Sequence, residues 1–561
     1  MTRRLPIFLL LCAALASSGC GTSHGSTSGA PGAAQGLGGG SGASAGASGS
    51  GGQGSFTEAY LPAGVRRMTV REFTNTVAQL LGTEREFSSL LPHDVPQQGY
   101  SRNLGQLVDP VFARQLQYTA EQLAAETVAQ RLSLIAPCSS NPGVDCAKTF
   151  IHDFGERAYR RPLGDDELAQ LLALYALGAD GRPDAASQFA SGIQFLLEAM
   201  LQAPSFIYLS QIGEFGSSGA MSALDQWELA ATLSYLVVAG PPDEALRAAA
   251  AAGQLSSSEQ RRAHAERLIA TPAGRAQVRA FIREWLHLDK LSTIDKSDPR
   301  FASLRQSVLD ETNDFVDEVM LNDDGSLGRL LTAGYTVVGP ELAAFYGVSP
   351  DANGRASLAG TGRVGLLQQA AFLAANSAAN VSSPVKRGAV FFDRLTCTPI
   401  PLPSLSVGVI KQPPPDPKST TRELFAVHAT DSRCSGCHTR LDGVGFLFEN
   451  FGPIGEQRSE ESGKPIDTSG SLKAGLDVDG PSANSVELSY RLAQSKDIRR
   501  CFARQLYRYS AADNDPNREE TFLRGLEAEG TLSDRVHALI PAFVASQSFL
   551  IREQPTPGGG Q

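Results

Sequence analysis

What this chain lacks narrows its reading. No stretch beyond the first twenty residues approaches the ~20 consecutive apolar residues that a membrane-spanning helix needs. No Lys/Arg-rich block interrupts a mildly acidic sequence, with 49 Lys+Arg against 59 Asp+Glu in 561 residues. There is therefore no stripe to track a phosphate backbone, and nucleic acid is excluded as a partner. Long apolar/polar alternation is scarce, which removes the signal of a large antiparallel sheet. Methionine is confined to Met1, Met68, Met200, Met221 and Met320, so the C-terminal third has none to offer as a metal ligand.

The N-terminus reads as an export signal (1–19): Arg3 and Arg4 form a basic start, Leu5 to Ala16 an apolar run, and Ser17-Ser18-Gly19 a small-residue cleavage site. Cys20 directly after Gly19 resembles the bacterial lipoprotein signal, in which that thiol is acylated and becomes the new N-terminus. Residues 20–54 follow, almost entirely Gly, Ser, Ala and Thr. Such a composition cannot bury enough apolar surface to fold and acts as a tether. The expected plan is an exported, lipid-anchored body standing off a membrane surface in the cell envelope, with the lipid membrane as a partner. Gly21 after Cys20, rather than Asp, hints at outer-membrane sorting.

Beyond residue 55 the dominant period is 3.6, which predicts a mainly α, multidomain helical body. Thr69-Val70-Arg71-Glu72 fits a capping box, followed by Phe73, Val77, Leu80 and Leu81 on one face and Gly82 at the C-cap. Leu168, Leu171, Leu172 and Tyr175 form a second stripe. Further stripes are Val278, Phe281, Ile282, Trp285 and Leu286, and then Val308, Leu309, Phe315, Val316, Val319 and Met320. Apolar and aromatic positions at this spacing are core. Predicted segments are 55–135, 136–215 and 216–350, a connector over 351–417 ending in a Pro-rich stretch, and a module over 418–555 with a polar loop or small hairpin between Gly452 and Pro481.

With Cys12 removed in the signal and Cys20 assigned to lipid, six cysteines remain, and an even number in an oxidising compartment suggests pairing. Cys138 and Cys146 flank a turn and are expected to form a local disulfide; Cys397 and Cys501 are candidates for a long-range one. Cys434-Ser435-Gly436-Cys437-His438 matches C-x-x-C-H, in which two thiols add to the haem vinyl groups and the adjacent imidazole becomes an axial iron ligand. The spacing places both thiols on one helical turn. No βαβ pattern surrounds the motif to favour a thioredoxin-like site, and no second ligand pair favours structural zinc. A plain disulfide between Cys434 and Cys437 stays open. For the sixth iron position the module offers His428 or His537.

Five blocks carry a family likeness: Arg67 through Val77; Arg157 through Leu163; Leu233-Ser234-Tyr235 with Pro241-Pro242-Asp243-Glu244; Ser383 through Gly388; and Cys434 through His438 continuing into Leu441-Asp442-Gly443-Val444-Gly445-Phe446 and Glu449-Asn450-Phe451. In this order they resemble the large mosaic proteins of planctomycetes and myxobacteria, built from successive domains of unknown function and ending in planctomycete-type cytochrome c motifs. The resemblance implies a C-terminal cytochrome c-like helical module and haem c as cofactor, but no reaction. Gly443 stands where the family often has Pro, and Gly452 where it often has Asp.

No hydrolase constellation stands out. Asp165, Asp166 and Glu167 read as helix N-terminal charges, Asp314, Asp317 and Glu318 as a solvated face, Asp442 and Glu449 as turn, cap or surface charges, and Arg160-Arg161 as salt-bridge partners more than an anion site. The leading expectation is a cell-envelope lipoprotein with one covalent c-type haem passing electrons to or from a partner oxidoreductase. The alternatives are a haem enzyme with an open iron position, and a surface binding or scaffolding lipoprotein in which C-x-x-C is a disulfide.

Overall fold

A computed structural model describes residues 60–87, 89–215, 221–401, 418–430, 432 and 434–554. The export signal, Cys20, the tether and most of the Pro-rich passage lie outside the described residues. The described body is mainly α, and none of its helices is long and apolar enough to cross a membrane.

The first helix, α1 (Val70–Leu81), begins and ends as its caps dictate. Thr69 Oγ1 accepts from Glu72 N at 3.1 Å, Glu72 Oε2 accepts from Thr69 N at 2.8 Å, and Gly82 closes the helix in the left-handed region at φ 63°. Glu72 does more than cap. It is buried and accepts from both guanidinium nitrogens of Arg66 at 2.7 and 2.8 Å and from Arg102 Nε at 3.2 Å. Burial pushes this carboxyl up, but the Arg66 and Arg102 charges outweigh it and hold it down at about 2.

Helices α2 (Pro110–Ile135), α3 (Val144–Tyr159), α4 (Asp165–Ala179) and α5 (Ala185–Met200) join α1 around one hydrophobic core containing Phe73, Leu116, Phe150, Phe154, Ile193 and Phe206. A disulfide joins Cys138 to Cys146 at the head of α3. Arg160 turns the chain after α3 in a left-handed conformation, φ 60°, because its buried guanidinium donates to the carbonyls of Ala158, Ser205, Phe206 and Tyr208. With those carbonyls using its donors, and Arg161 paired to Glu167 at 2.7 Å, this arginine pair is structural.

A second, larger core spans the rest of the body. It takes in α6 (Gln226–Val238), α7 (Ser258–Ile269), α8 (Pro272–Trp285) and α9 (Arg300–Asn322). The α8 stripe is fully inside, and on α9 Val308, Phe315, Val316 and Val319 are buried with Leu309 and Met320 packed at the margin. On α9 the buried Glu311 accepts from Thr336 Oγ1 and Tyr346 OH at 2.8 and 2.7 Å; burial pushes its carboxyl up to about 7.

The expected connector over 351–417 is, up to residue 401, packed structure instead. Leu366, Leu367, Phe372 and Leu373 are buried, and α10 (Pro384–Val390) runs into a π-helical turn at Phe391–Leu395 whose Phe391 and Phe392 are also inside. This apolar run has helical spacing and nothing extended about it; only the prolines further on carry the connector signal. A disulfide ties Cys397, after that turn, to Cys501 on α13 (Lys496–Ala511). The polar stretch before Pro481 contains a hairpin, Gly470–Leu472 against Gly480–Ser482.

Among the strands, β1 (Leu61–Pro62) pairs parallel with β3 (Ile551–Glu553), which also pairs antiparallel with β2 (Met221–Ala223). The two ends of the described body are thereby fastened side by side.

Candidate functional site

The cysteine motif opens a helix. Cys434 is the N-cap of α12, Ser435–Gly445, and its carbonyl accepts from the backbone N–H of Cys437 at 3.2 Å and of His438 at 3.0 Å. Cys434 and Cys437 therefore stand one turn apart with His438 next along the same turn. Both thiols are unpaired and partly exposed, whereas Cys138, Cys146, Cys397 and Cys501 are consumed in the two disulfides.

Two family-like blocks that lie far apart in sequence hold this helix in place. Helix α10, from the Ser383–Gly388 block, packs flat on α12 because both surfaces are glycine at the contact. A Cβ on Gly388 would lie 2.3 Å from the Leu441 carbonyl oxygen, and one on Gly445 2.1 Å from that of Pro384. Arg387, fully buried, then donates to the carbonyls of Phe448 (2.8 Å), Phe451 (3.0 Å) and Gly452 (2.9 Å), satisfying the turn that follows α12. Glu449 completes the frame, accepting from Ser382 Oγ at 2.7 Å and Arg458 Nη2 at 2.9 Å. It is 2% exposed. Burial pushes its carboxyl up against the pull of Arg387 and Arg458.

On its other side α12 meets α11, Thr421–Thr430. The start of α11 is tied down by Glu461, which accepts from Thr421 N at 2.6 Å and Thr421 Oγ1 at 2.7 Å. At its far end His428 brings its ring 4.1 Å, centre to centre, from that of His438, tilted by 49°, with Phe425 edge-on behind it at 4.9 Å. Asp442 lies beside both. His438 Nδ1 is 3.2 and 3.3 Å from the two carboxylate oxygens of Asp442, and His428 Nδ1 is 3.9 Å away. Asp442 is 6% exposed and His428 is also 6% exposed. His428 Nδ1 is buried without a hydrogen-bond partner, and burial, then His438, lowers its pKa against the pull of Asp442.

Of the two histidines that the sequence offers beside the motif, His428 is therefore at hand. His537 sits on another helix, Val536–Ala545, with its ring against Gly325. The reading of Asp442 and Glu449 as turn, cap or surface charges is corrected by the packing, since both are buried and bonded within the frame. The signal for Asp442 was in the sequence: His438 and Asp442 are four apart, the spacing that stacks side chains on one helix face. For Glu449 no local signal existed, because its partners Ser382 and Arg458 come from other segments.

The donor groups present suit a c-type haem. Two free thiols lie one turn apart, the adjacent imidazole has Nδ1 occupied and Nε2 left for a metal, and a Cβ at Gly436 would meet nothing within 4 Å. The same place also has the makings of a simple ion site. One ligand atom each from His428, His438 and Asp442 lie within 4.8 Å of one another.

The fold and this site define a helical, multi-domain chain with two free thiols on one helix in its C-terminal part. Four successive stretches match family models: 66–129 matches PSD3 (protein of unknown function, DUF1587), 146–211 PSD5 (DUF1595), 224–348 PSD4 (DUF1592) and 363–461 PSCyt3 (DUF1588). This succession of four families is consistent with a planctomycete-type multi-domain protein. The motif and both blocks that hold it fall within the PSCyt3 match, a family whose name points to a cytochrome. Neither a curated protein nor a solved structure matches the chain.

Proposed function

We propose that this protein carries one covalent c-type haem on Cys434 and Cys437 with His438 as axial ligand, and that it passes single electrons to or from a partner oxidoreductase at the cell envelope. The observation that carries this reading is the pair of unpaired thiols on the first turn of α12, followed by an imidazole whose Nδ1 is already engaged. Bound there, the haem supplies one-electron chemistry. The chain's own work is to attach it through two thiols, to aim His438, and to hold α12 rigid through Arg387 and the glycine contacts. Cys20 is proposed as the lipid anchor and residues 21–54 as the tether.

His428 is the proposed sixth ligand. The two rings stand 4.1 Å apart, centre to centre, too close for a macrocycle between them. Ligation by His428 therefore requires α11 to shift away from α12 on loading.

A second reading is a single divalent ion held by His428, His438 and Asp442, favoured by their convergence within 4.8 Å and by the match of two imidazoles and one carboxylate to transition-metal sites. One experiment separates the readings. Protein produced with c-type maturation machinery is run on a denaturing gel stained for haem peroxidase activity, with a pyridine haemochrome spectrum and metal analysis alongside. Covalent haem that disappears in Cys434→Ala/Cys437→Ala is expected. A haem-free wild type containing a stoichiometric divalent ion would overturn the haem reading in favour of the second.

A further inference from the structure

Resting on the haem reading above, we propose that Asp442 is a positioning residue for His438, fixing its tautomer and holding the haem iron at a low reduction potential. The geometry is specific. His438 and Asp442 sit at i and i+4 on α12, where side chains meet without backbone movement, and Nδ1 lies 3.2 and 3.3 Å from the two carboxylate oxygens. A carboxylate only accepts, so the proton of the contact resides on Nδ1 and the lone pair on Nε2. That is the tautomer an axial ligand needs.

Asp442 is 6% exposed, and among the described residues no other hydrogen bond reaches its carboxylate. His428 Nδ1, at 3.9 Å, lies beyond hydrogen-bond distance. A shift of His428 away from α12 would leave the carboxylate to His438 alone. The helix carrying both residues is itself immobilised, by Gly388 against Leu441, the residue just before Asp442, and by Gly445 three residues on.

The consequence follows from the charge of the acceptor. A neutral acceptor on Nδ1 orients the imidazole. A buried carboxylate there also raises the basicity of Nε2 and places negative charge one imidazole away from the iron, and both effects favour the ferric state over the ferrous. Asp442→Asn keeps the shape and an accepting oxygen but removes the charge, so it separates orientation from electrostatics.

The test is a redox titration of the haem-loaded protein and its Asp442→Asn variant, with resonance Raman of the ferrous iron–histidine stretch read in the His428→Ala background, where the iron has no sixth ligand. Expected are retained covalent haem, a roughly tenfold shift of the redox equilibrium toward the ferrous form (59 mV upward for one electron), and a lower stretching frequency. Haem retained with potential and frequency both unmoved would overturn the role of Asp442 while leaving the haem reading intact. A wild type without haem overturns the haem reading and this proposal with it; if only the variant fails to mature, the tautomer decides. Nitrogen NMR of histidine-labelled, haem-free wild type is expected to show His438 protonated on Nδ1 and bare on Nε2 at neutral pH, and the reverse tautomer would sink the proposal.

Discussion

Gly445 lies so close to Pro384 that a methyl group on its Cα would sit 2.1 Å from the Pro384 carbonyl oxygen. The atom it would strike is backbone at the first position of α10, which is held in turn by Arg387 and its three carbonyls. A contact of this kind is relieved only by moving one helix away from the other.

Gly445→Ala is therefore expected to destabilise the C-terminal part by about 1–3 kcal/mol, the usual cost of overpacking, although alanine is the better helix former by ~1 kcal/mol. Urea unfolding followed by circular dichroism checks it. Stability equal to or above wild type would mean that the interface tolerates separation and that the glycines are not what lets the two helices approach.

Glu311 makes stability depend on pH in a defined direction. Its carboxyl is raised to about 7 in the folded protein, against ~4.3 for an ordinary glutamate. Between those values the folded chain holds a proton that the unfolded chain has released, so its contribution to stability is greatest below pH ~4.3 and is lost as pH rises toward 7. Glu311→Gln keeps partners for Thr336 and Tyr346 and has no charge to bury. Relative to wild type, it is expected to gain on the order of 3 kcal/mol between pH 4 and pH 7, at ~1.36 kcal/mol per pH unit. Denaturant unfolding of both proteins across that range reads the difference; parallel curves would contradict it.

Removing His428 tests the sixth position. With haem attached, His428→Ala is expected to convert a six-coordinate low-spin spectrum to a high-spin one and to admit exogenous imidazole or carbon monoxide. An unchanged low-spin spectrum would assign the sixth position elsewhere. A wild type that is already high-spin would favour the enzyme alternative, with an open iron site.

How far the sequence could be read depended on how local each feature is. The caps of α1 were legible because Thr69, Glu72 and Gly82 are separated by single turns, and C-x-x-C-H was legible because all of its chemistry is contiguous. The buried stripes of α8 and α9 were legible for the same reason. Arg387 was not, since its partners are 61 to 65 residues away and are carbonyl oxygens, which carry no side-chain signature. The packed segment from 351 to 401 was hidden by the prolines that follow it. His428 and His537 were equivalent in sequence and became distinct only when α11 brought one ring beside His438. At Gly452 a Cβ would lie 1.9 Å from Glu456 Oε1, the flexible end of a side chain whose other oxygen accepts from Ile454 N within the same turn.

The pairing of β1 with β3 bears on how the protein is made. Leu61 and Pro62 find their partners Arg552 and Glu553 far along the chain, so during synthesis β1 waits with unmet backbone groups until β3 has emerged. Contacts of such long range close late. A chain cut short before Arg552 would leave that first edge bare.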